Sequence, residues 1–310
     1  MIYIPLLKKK LIKQENKFIN LPTYLINPNL QRVTMKNILL SLTIMASTLL
    51  SFSTIAKEPV FNIKNDLLLL NFDLKTDVDD VHTIAALNLI LRSPTYKNLN
   101  YFAVAGTYGV QGGLYVPANT LFDMVFFKNW TDAHGARTKA ITQTTEKIKA
   151  TLDSGGNIWI AEAGQSDYTQ TLLKALKSEN IAVAKNNIIV VQHSEWNEKE
   201  TSHDALLYVK ENTTYIKIPD GNKAGNGSAG FNEETFVTTS LENKKLLSSP
   251  VWIEANKIST QYNGINGRYN NKAISNGGID FSDLSEVIRI LDIKNTPDVT
   301  TFFNKFNKEK

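Results

Sequence analysis

Residues 67–92, LLLLNFDLKTDVDDVHTIAALNLILR, constrain the fold more than any other stretch. The leucines run on with no polar alternation, which reads as a strand buried on both faces, the kind found in parallel sheets. Asp73, Asp77, Asp79 and Asp80 follow, and then a largely apolar helix. The acids therefore sit where a parallel strand ends and a helix begins. In open α/β sheets that C-terminal edge is where ligands bind. Four carboxylates within eight residues repel one another, and a cation, a helix N-terminus or water must offset the repulsion.

The rest of the chain repeats the alternation. Apolar runs predict strands at 101–105, 157–163 and 187–192, with shorter ones at 215–218 and 251–253. Helices are predicted over 80–91, 117–127, 144–153, 167–178, 198–210, 233–247 and 284–291. Pro94 limits the first of them, because proline disfavours helix in the residue before it. Pro117 suits a first helical turn, and Ser166 suits a cap. The fold class this predicts is α/β: a mostly parallel open sheet with helices on both faces, Rossmann-like. The polar residues of interest fall after strands.

Residues 37–56, NILLSLTIMASTLLSFSTIA, preceded by Met35-Lys36 and ending on Thr54-Ile55-Ala56, have the form of a secretory signal. Residues 1–34 are basic and Asn-rich, and read as an upstream start-site artefact or as disordered. Residues 1–56 hold seven Lys or Arg against one acid, so residues 57–310 carry 27 basic and 29 acidic residues. The basic pI belongs to the leader, and the remainder has no electrostatic footprint for nucleic acid. The expected product is exported, periplasmic or secreted, with no stable membrane span once the signal is cleaved. It contains no cysteine, so neither disulfides nor thiol chemistry enter. Residues 57–310 show no internal repeat and read as one domain; an oligomer is open.

The acidic loop is the first candidate site. Ca²⁺ takes six to eight oxygen ligands, commonly carboxylates and backbone carbonyls, and Asp73, Asp77, Asp79 and Asp80 could give two or three of them. The competing reading is helix capping by Asp77 or Asp79. His193 follows a strand beside Glu195, Trp196 and Asn197. A histidine there could protonate a leaving base, and a tryptophan could stack on a base or sugar with Asn197 beside it. The loop GNKAGNGSAG lacks the order of a phosphate-binding loop, and its Asn222 and Asn226 could meet sugar hydroxyls. His82 reads as packed in its helix.

The acidic loop resembles the opening motif of the inosine–uridine-preferring nucleoside hydrolase superfamily, in which a buried strand ends in D-x-D-x-x-x-D-D and leads into a helix. Asp73, Asp79 and Asp80 match the first, third and fourth acids, and Lys75 stands in place of the second. In that family the second acid binds calcium and orients the attacking water. Here either the Lys75 ammonium takes the cation's place or Asp77 supplies the carboxylate. The chain looks closer to an exported nucleoside-hydrolase-like branch that keeps D-x5-D-D without the second acid. The resemblance implies Asp73, Asp77, Asp80, Asp283 (or Asp280) and a carbonyl of Gly164 or Gln165 as metal ligands for Ca²⁺. It also implies Asp79 and Asn119 at the substrate, and Asp73 or Asp77 as the base. His203-Asp204 is similar to the family's His-Asp pair. The function implied is an exported hydrolase of N-glycosidic bonds in ribonucleosides or related glycosides. The alternative is a carbohydrate- or nucleoside-binding protein with a degenerate metal site.

Overall fold

Leu67–Phe72 forms β1, and every one of its six residues is buried. A computed structural model describes residues 58–307 of the chain; the segments read as a signal and an upstream leader lie outside them. β1 pairs in parallel on both edges, with β2 (Tyr101–Ala105) on one side and β4 (Ile158–Ala163) on the other. β3 (Trp130–Asp132) extends one edge; β5 (Ile188–His193) and β6 (Thr214–Ile218) extend the other. The sheet order is β3-β2-β1-β4-β5-β6, all parallel. The fold is therefore α/β and Rossmann-like, as the apolar runs predict.

Alternation along the strands divides the core in two. Leu67 and Leu69 point to one face with Phe102, Val104, Ile158, Ile160, Ile188 and Val190. There they meet Ala140 and Ile148 of α3 (Arg137–Asp153), Tyr168, Leu172 and Leu176 of α4 (Asp167–Ser178), and Val209 of α6 (His203–Asn212). Leu68, Leu70 and Phe72 point to the other face. They meet α1 (Asp79–Arg92), α2 (Asn119–Phe126), α8 (Pro250–Tyr262), α10 (Leu284–Ile290) and α11 (Val299–Phe306). An apolar strand with no period-2 pattern is what burial on two faces requires. Residues from Pro59 onward form one compact unit. Among the described residues no helix is long and apolar enough to cross a membrane.

The chain runs outward from β1 through β2 to β3, then returns to place β4 against β1. That reversal is a topological switch point, and the crevice lies at the strands' C-terminal ends. A two-stranded antiparallel pair, β7 (Asn232–Glu233) with β8 (Ile279–Asp280), carries the C-terminal acids to the same edge, and the short α9 (Lys272–Ser275) precedes β8.

Several predicted elements shift. Residues 251–253, read as a strand, are the first turn of α8, where the Ser249 hydroxyl accepts from Trp252 N and Pro250 takes the first position. The helix predicted over 233–247 shrinks to α7 (Leu241–Leu246), because Asn232 and Glu233 are spent on β7. The helix predicted over 198–210 is two: α5 (Glu195–Glu200) and α6, separated by Thr201 and Ser202. Ser166 sits at the N-cap of α4 but makes no side-chain cap bond.

Candidate functional site

Asp73 leaves the end of β1 at the switch point. Its Oδ1 accepts from Lys75 N at 2.8 Å, and its Oδ2 accepts from Gln165 Nε2 at 2.8 Å. Gly164 makes this approach possible: its φ is +136°, and a Cβ there would sit 2.4 Å from Asp73 Oδ2. Leu74 then turns the chain through φ +51°, a conformation that costs a non-glycine residue energy and recurs at functional sites. The turn hands Leu74 N to Asp80 Oδ2 at 2.7 Å. The other Asp80 oxygen is buried without a partner.

The acids do not cap α1. Its N-cap is Val78 and makes no side-chain cap bond. Asp79 Oδ1 accepts from Asp80 N, and Asp77 Oδ1 from Val78 N. From the C-terminal part of the chain, Asp283 at the start of α10 comes close to the Asp80 carboxyl, and the two charges repel. Burial pushes the Asp73 carboxyl up to about 7, against the pull of its bonds from Lys75 and Gln165. Burial and then Asp280 push Asp77 up to about 7. Asp79, Asp80 and Asp283 are also well above the carboxylate range, first through burial; Asp283 raises Asp79 and Asp80 further, and Glu286 raises Asp283.

A cavity of about 440 Å³ opens above these groups, and Asp73, Asp77, Asp79 and Asp283 line it. Its opposite wall is built from the end of β5. His193 Nδ1 donates to Glu286 Oε1 at 2.7 Å, and His193 N donates to the same oxygen at 2.9 Å. His193 Nε2 stands 3.9 Å from Asp283 Oδ1. Burial alone would lower the imidazole pKa; the Glu286 carboxylate outweighs it and holds His193 at about 9. Ser194, at φ +68°, caps α5, and Trp196 stands 52% exposed at the cavity wall. A third wall is a relay of amides. Asn271 Nδ2 donates to Asp280 Oδ2 at 2.7 Å and to Asp77 at 3.3 Å; Asn232 Nδ2 donates to Asp280 Oδ2 at 2.6 Å and to Asn222 Oδ1 at 3.0 Å.

Most of the residues singled out from sequence thus come together. Asp73, Asp77, Asp79, His193, Trp196, Asn197, Asn222 and Asp283 line the cavity. Asp80 and Gln165 lie buried beneath it, bonded to Leu74 N and Asp73. Asn197 spends its amide on His193 O at 3.3 Å. Two residues fall elsewhere. Asn119 donates to Asp132 at the start of α2. Asn226 braces its own loop, donating to Asp220 O and accepting from Ser228 N. The His203-Asp204 pair is exposed on α6, 89% and 98% by side chain, and does not line the cavity. The Lys75 ammonium does not take a cation's place among the acids: it lies 4.2 Å over the Tyr108 ring. His82 is packed and neutral, driven down to about 4 by burial, with Nε2 at 3.0 Å from Ser259 Oγ.

Sequence reasoning missed Glu286, Asn271 and Asn232. Glu286 lies one helical turn after Asp283 and shares its face, which was the available signal. The asparagines had none.

Whether a calcium ion fits can be judged from the donors. Among the described residues no three His, Cys, Asp or Glu side chains converge at metal-ligand geometry. Within this cluster Asp80 lies between Asp73 and Asp283, whose charges both raise its pKa, and one Asp80 oxygen is buried without a partner. Hard oxygens that repel one another in a buried place fit a hard cation.

No family model, no curated protein and no solved structure matches the chain.

Proposed function

We propose that the protein hydrolyses N-glycosidic bonds of ribonucleosides or related glycosides, with Ca²⁺ as cofactor. The observation that carries this reading is the meeting of Asp73, Asp80 and Asp283 at the switch point, below a cavity walled by His193 and Trp196. These three carboxyls would hold the ion. When bound, it would supply positive charge that orders sugar hydroxyls and acidifies an attacking water.

The chain's own groups do the rest. Asp79, lining the cavity floor, is placed to accept from a sugar hydroxyl. Asp73, at the cavity wall, is placed to take a proton from water. Its bonds from Lys75 N and Gln165 Nε2 fix the carboxyl plane. Trp196 offers an exposed ring for stacking on an aglycone. Asp77 and Asp280, bridged by Asn271, form a polar wall for the remaining hydroxyls.

The test is hydrolysis of p-nitrophenyl riboside with calcium and with chelator, alongside Asp80→Asn. Calcium-dependent turnover that the variant abolishes is the expected result. One observation favours a second reading, an exported protein that binds a nucleoside or sugar without cleaving it: Lys75 occupies the second acid position of the motif, and its ammonium is turned to Tyr108. Saturable binding of nucleosides, with no turnover under any metal condition, would favour that reading.

A further inference from the structure

We propose that a second cavity, which shares Trp196 with the first, is a subsite for a neutral sugar unit, so that the ligand is a glycoside carrying at least one further sugar. This rests on the reading above only for what the first cavity holds. The second cavity measures about 610 Å³ and lies at the C-terminal end of β6. Ser194, Trp196 and Asp220 line both. Ile218 of β6 is level with His193 of β5. The joined cavities therefore follow the sheet edge from β1 across β4 and β5 to β6. That is three interstrand spacings, about 14 Å, which is more than one sugar ring needs.

Trp196 is the ridge between the two. The Ser194 hydroxyl accepts from Trp196 N at 3.0 Å and from Asn197 N at 3.4 Å, which fixes the start of α5 and the root of the indole. Among the described residues no ring stacks on that indole, and its Nε1–H makes no hydrogen bond. Ile218 and Pro219 continue its apolar surface into the second cavity. The polar groups there carry both signs. Lys217 Nζ donates to Glu198 Oε2 at 2.9 Å, with Glu195 Oε1 3.8 Å away. Asp220 Oδ1 accepts from Asn222 N and Nδ2, and Asp220 Oδ2 makes no hydrogen bond among the described residues.

That chemistry selects the occupant. A phosphate would meet the Glu195 and Asp220 carboxylates, while the one ammonium in the cavity is already matched by Glu198. A nucleic-acid strand is disfavoured on the same ground. A sugar ring carries no charge. It offers an apolar C–H face to the indole and hydroxyls that both donate and accept, and Asp220 Oδ2 and the Lys217 ammonium answer both roles.

The experiment is calorimetric titration of the protein, with calcium present, by glucose and N-acetylglucosamine and by maltose, cellobiose and chitobiose. At least one disaccharide should bind about tenfold more tightly than its monosaccharide. Lys217 and Pro219 are exposed and line the second cavity only. Lys217→Met and Pro219→Trp should each remove the gain and leave the monosaccharide Kd unchanged. The proposal is overturned if no disaccharide shows a gain, or if the gain survives either variant. It is also overturned if inosine 5′-monophosphate binds more tightly than inosine and loses that preference in Lys217→Met. Hydrolysis of p-nitrophenyl riboside reads the first cavity separately. Turnover without a disaccharide gain removes the subsite and leaves the glycosidase reading standing. A disaccharide gain without turnover under any metal condition keeps the subsite and removes the glycosidase reading.

Discussion

Glu162 shows at a single position what this chain tolerates near its site. It lies on β4 across from Asn71 of β1, fully buried, accepting from Asn71 Nδ2 and from Thr169 Oγ1. Burial raises its pKa to about 8, and those two bonds do not bring it back. The folded state therefore holds a proton that the unfolded chain releases above 4.5. Stability from this group is full below that value, falls as pH rises, and stops falling above about 8. Glu162→Gln, which keeps the shape and cannot ionise, should flatten this fall of roughly 1.4 kcal/mol per pH unit inside the window. Urea unfolding at pH 5 and pH 8 checks it: the variant gains on wild type only at the higher pH, and parallel curves would contradict the assignment. Gly164→Ala tests the backbone at the same edge. A Cβ would meet Asp73 Oδ2 at 2.4 Å in a φ region closed to alanine, so a loss of about 1–3 kcal/mol is expected in the same urea assay, together with weaker calcium binding. The acids of the loop were legible in sequence because they follow an apolar run within eight residues. Glu286 was legible only as an acid one helical turn after Asp283; its partner His193 lies 93 residues away, and no local pattern encodes that pairing.

Elements were legible where burial on two faces imposes composition. β1, β2, β4 and β5 are apolar runs of five or six residues, and the sequence boundaries for them hold to within a residue. β3 has three residues at the sheet's edge, half-buried, and too short to carry any period. The start of α8 misled for a different reason: Val251, Trp252 and Ile253 favour strand by propensity, yet Ser249 and Pro250 are start signals for a helix. Tertiary packing decides the case. Trp252 is fully buried and packs edge-on against His82 of α1 and against Phe281, with Phe303 of α11 also in contact. Phe281 stands between Asp280 and Asp283, so this aromatic cluster is the floor on which the C-terminal acids rest. Trp252→Ala should cost about 3–5 kcal/mol by urea unfolding. A loss below about 1 kcal/mol would mean that the cluster does not carry α8.

At the scale of the whole molecule, the candidate site joins the two ends of the described chain. Residues 73–80 supply one set of carboxyls and residues 279–286 the other, with β7 and β8 tying the second set in place. A group that binds both sets binds only the folded chain, so its binding free energy adds to stability. Without it, the Asp80 and Asp283 carboxyls face each other inside the protein, a cost the fold carries for the sake of the site. Two consequences have opposite signs. Calcium at about a hundred times its dissociation constant should add about 2.7 kcal/mol. For a chain of this size that is a rise in Tm of roughly 5–10 °C. Asp80→Asn keeps an oxygen for Leu74 N but removes one of the opposed carboxyls. In chelator the variant should melt at or above the wild-type temperature, and calcium should no longer raise it. Melting curves of both proteins, with calcium and with chelator, decide the matter. A calcium shift that survives Asp80→Asn would place the ion elsewhere. A variant that melts well below wild type in chelator would mean that the cluster stabilises the fold, and that the loop evolved to hold the chain together without a ligand.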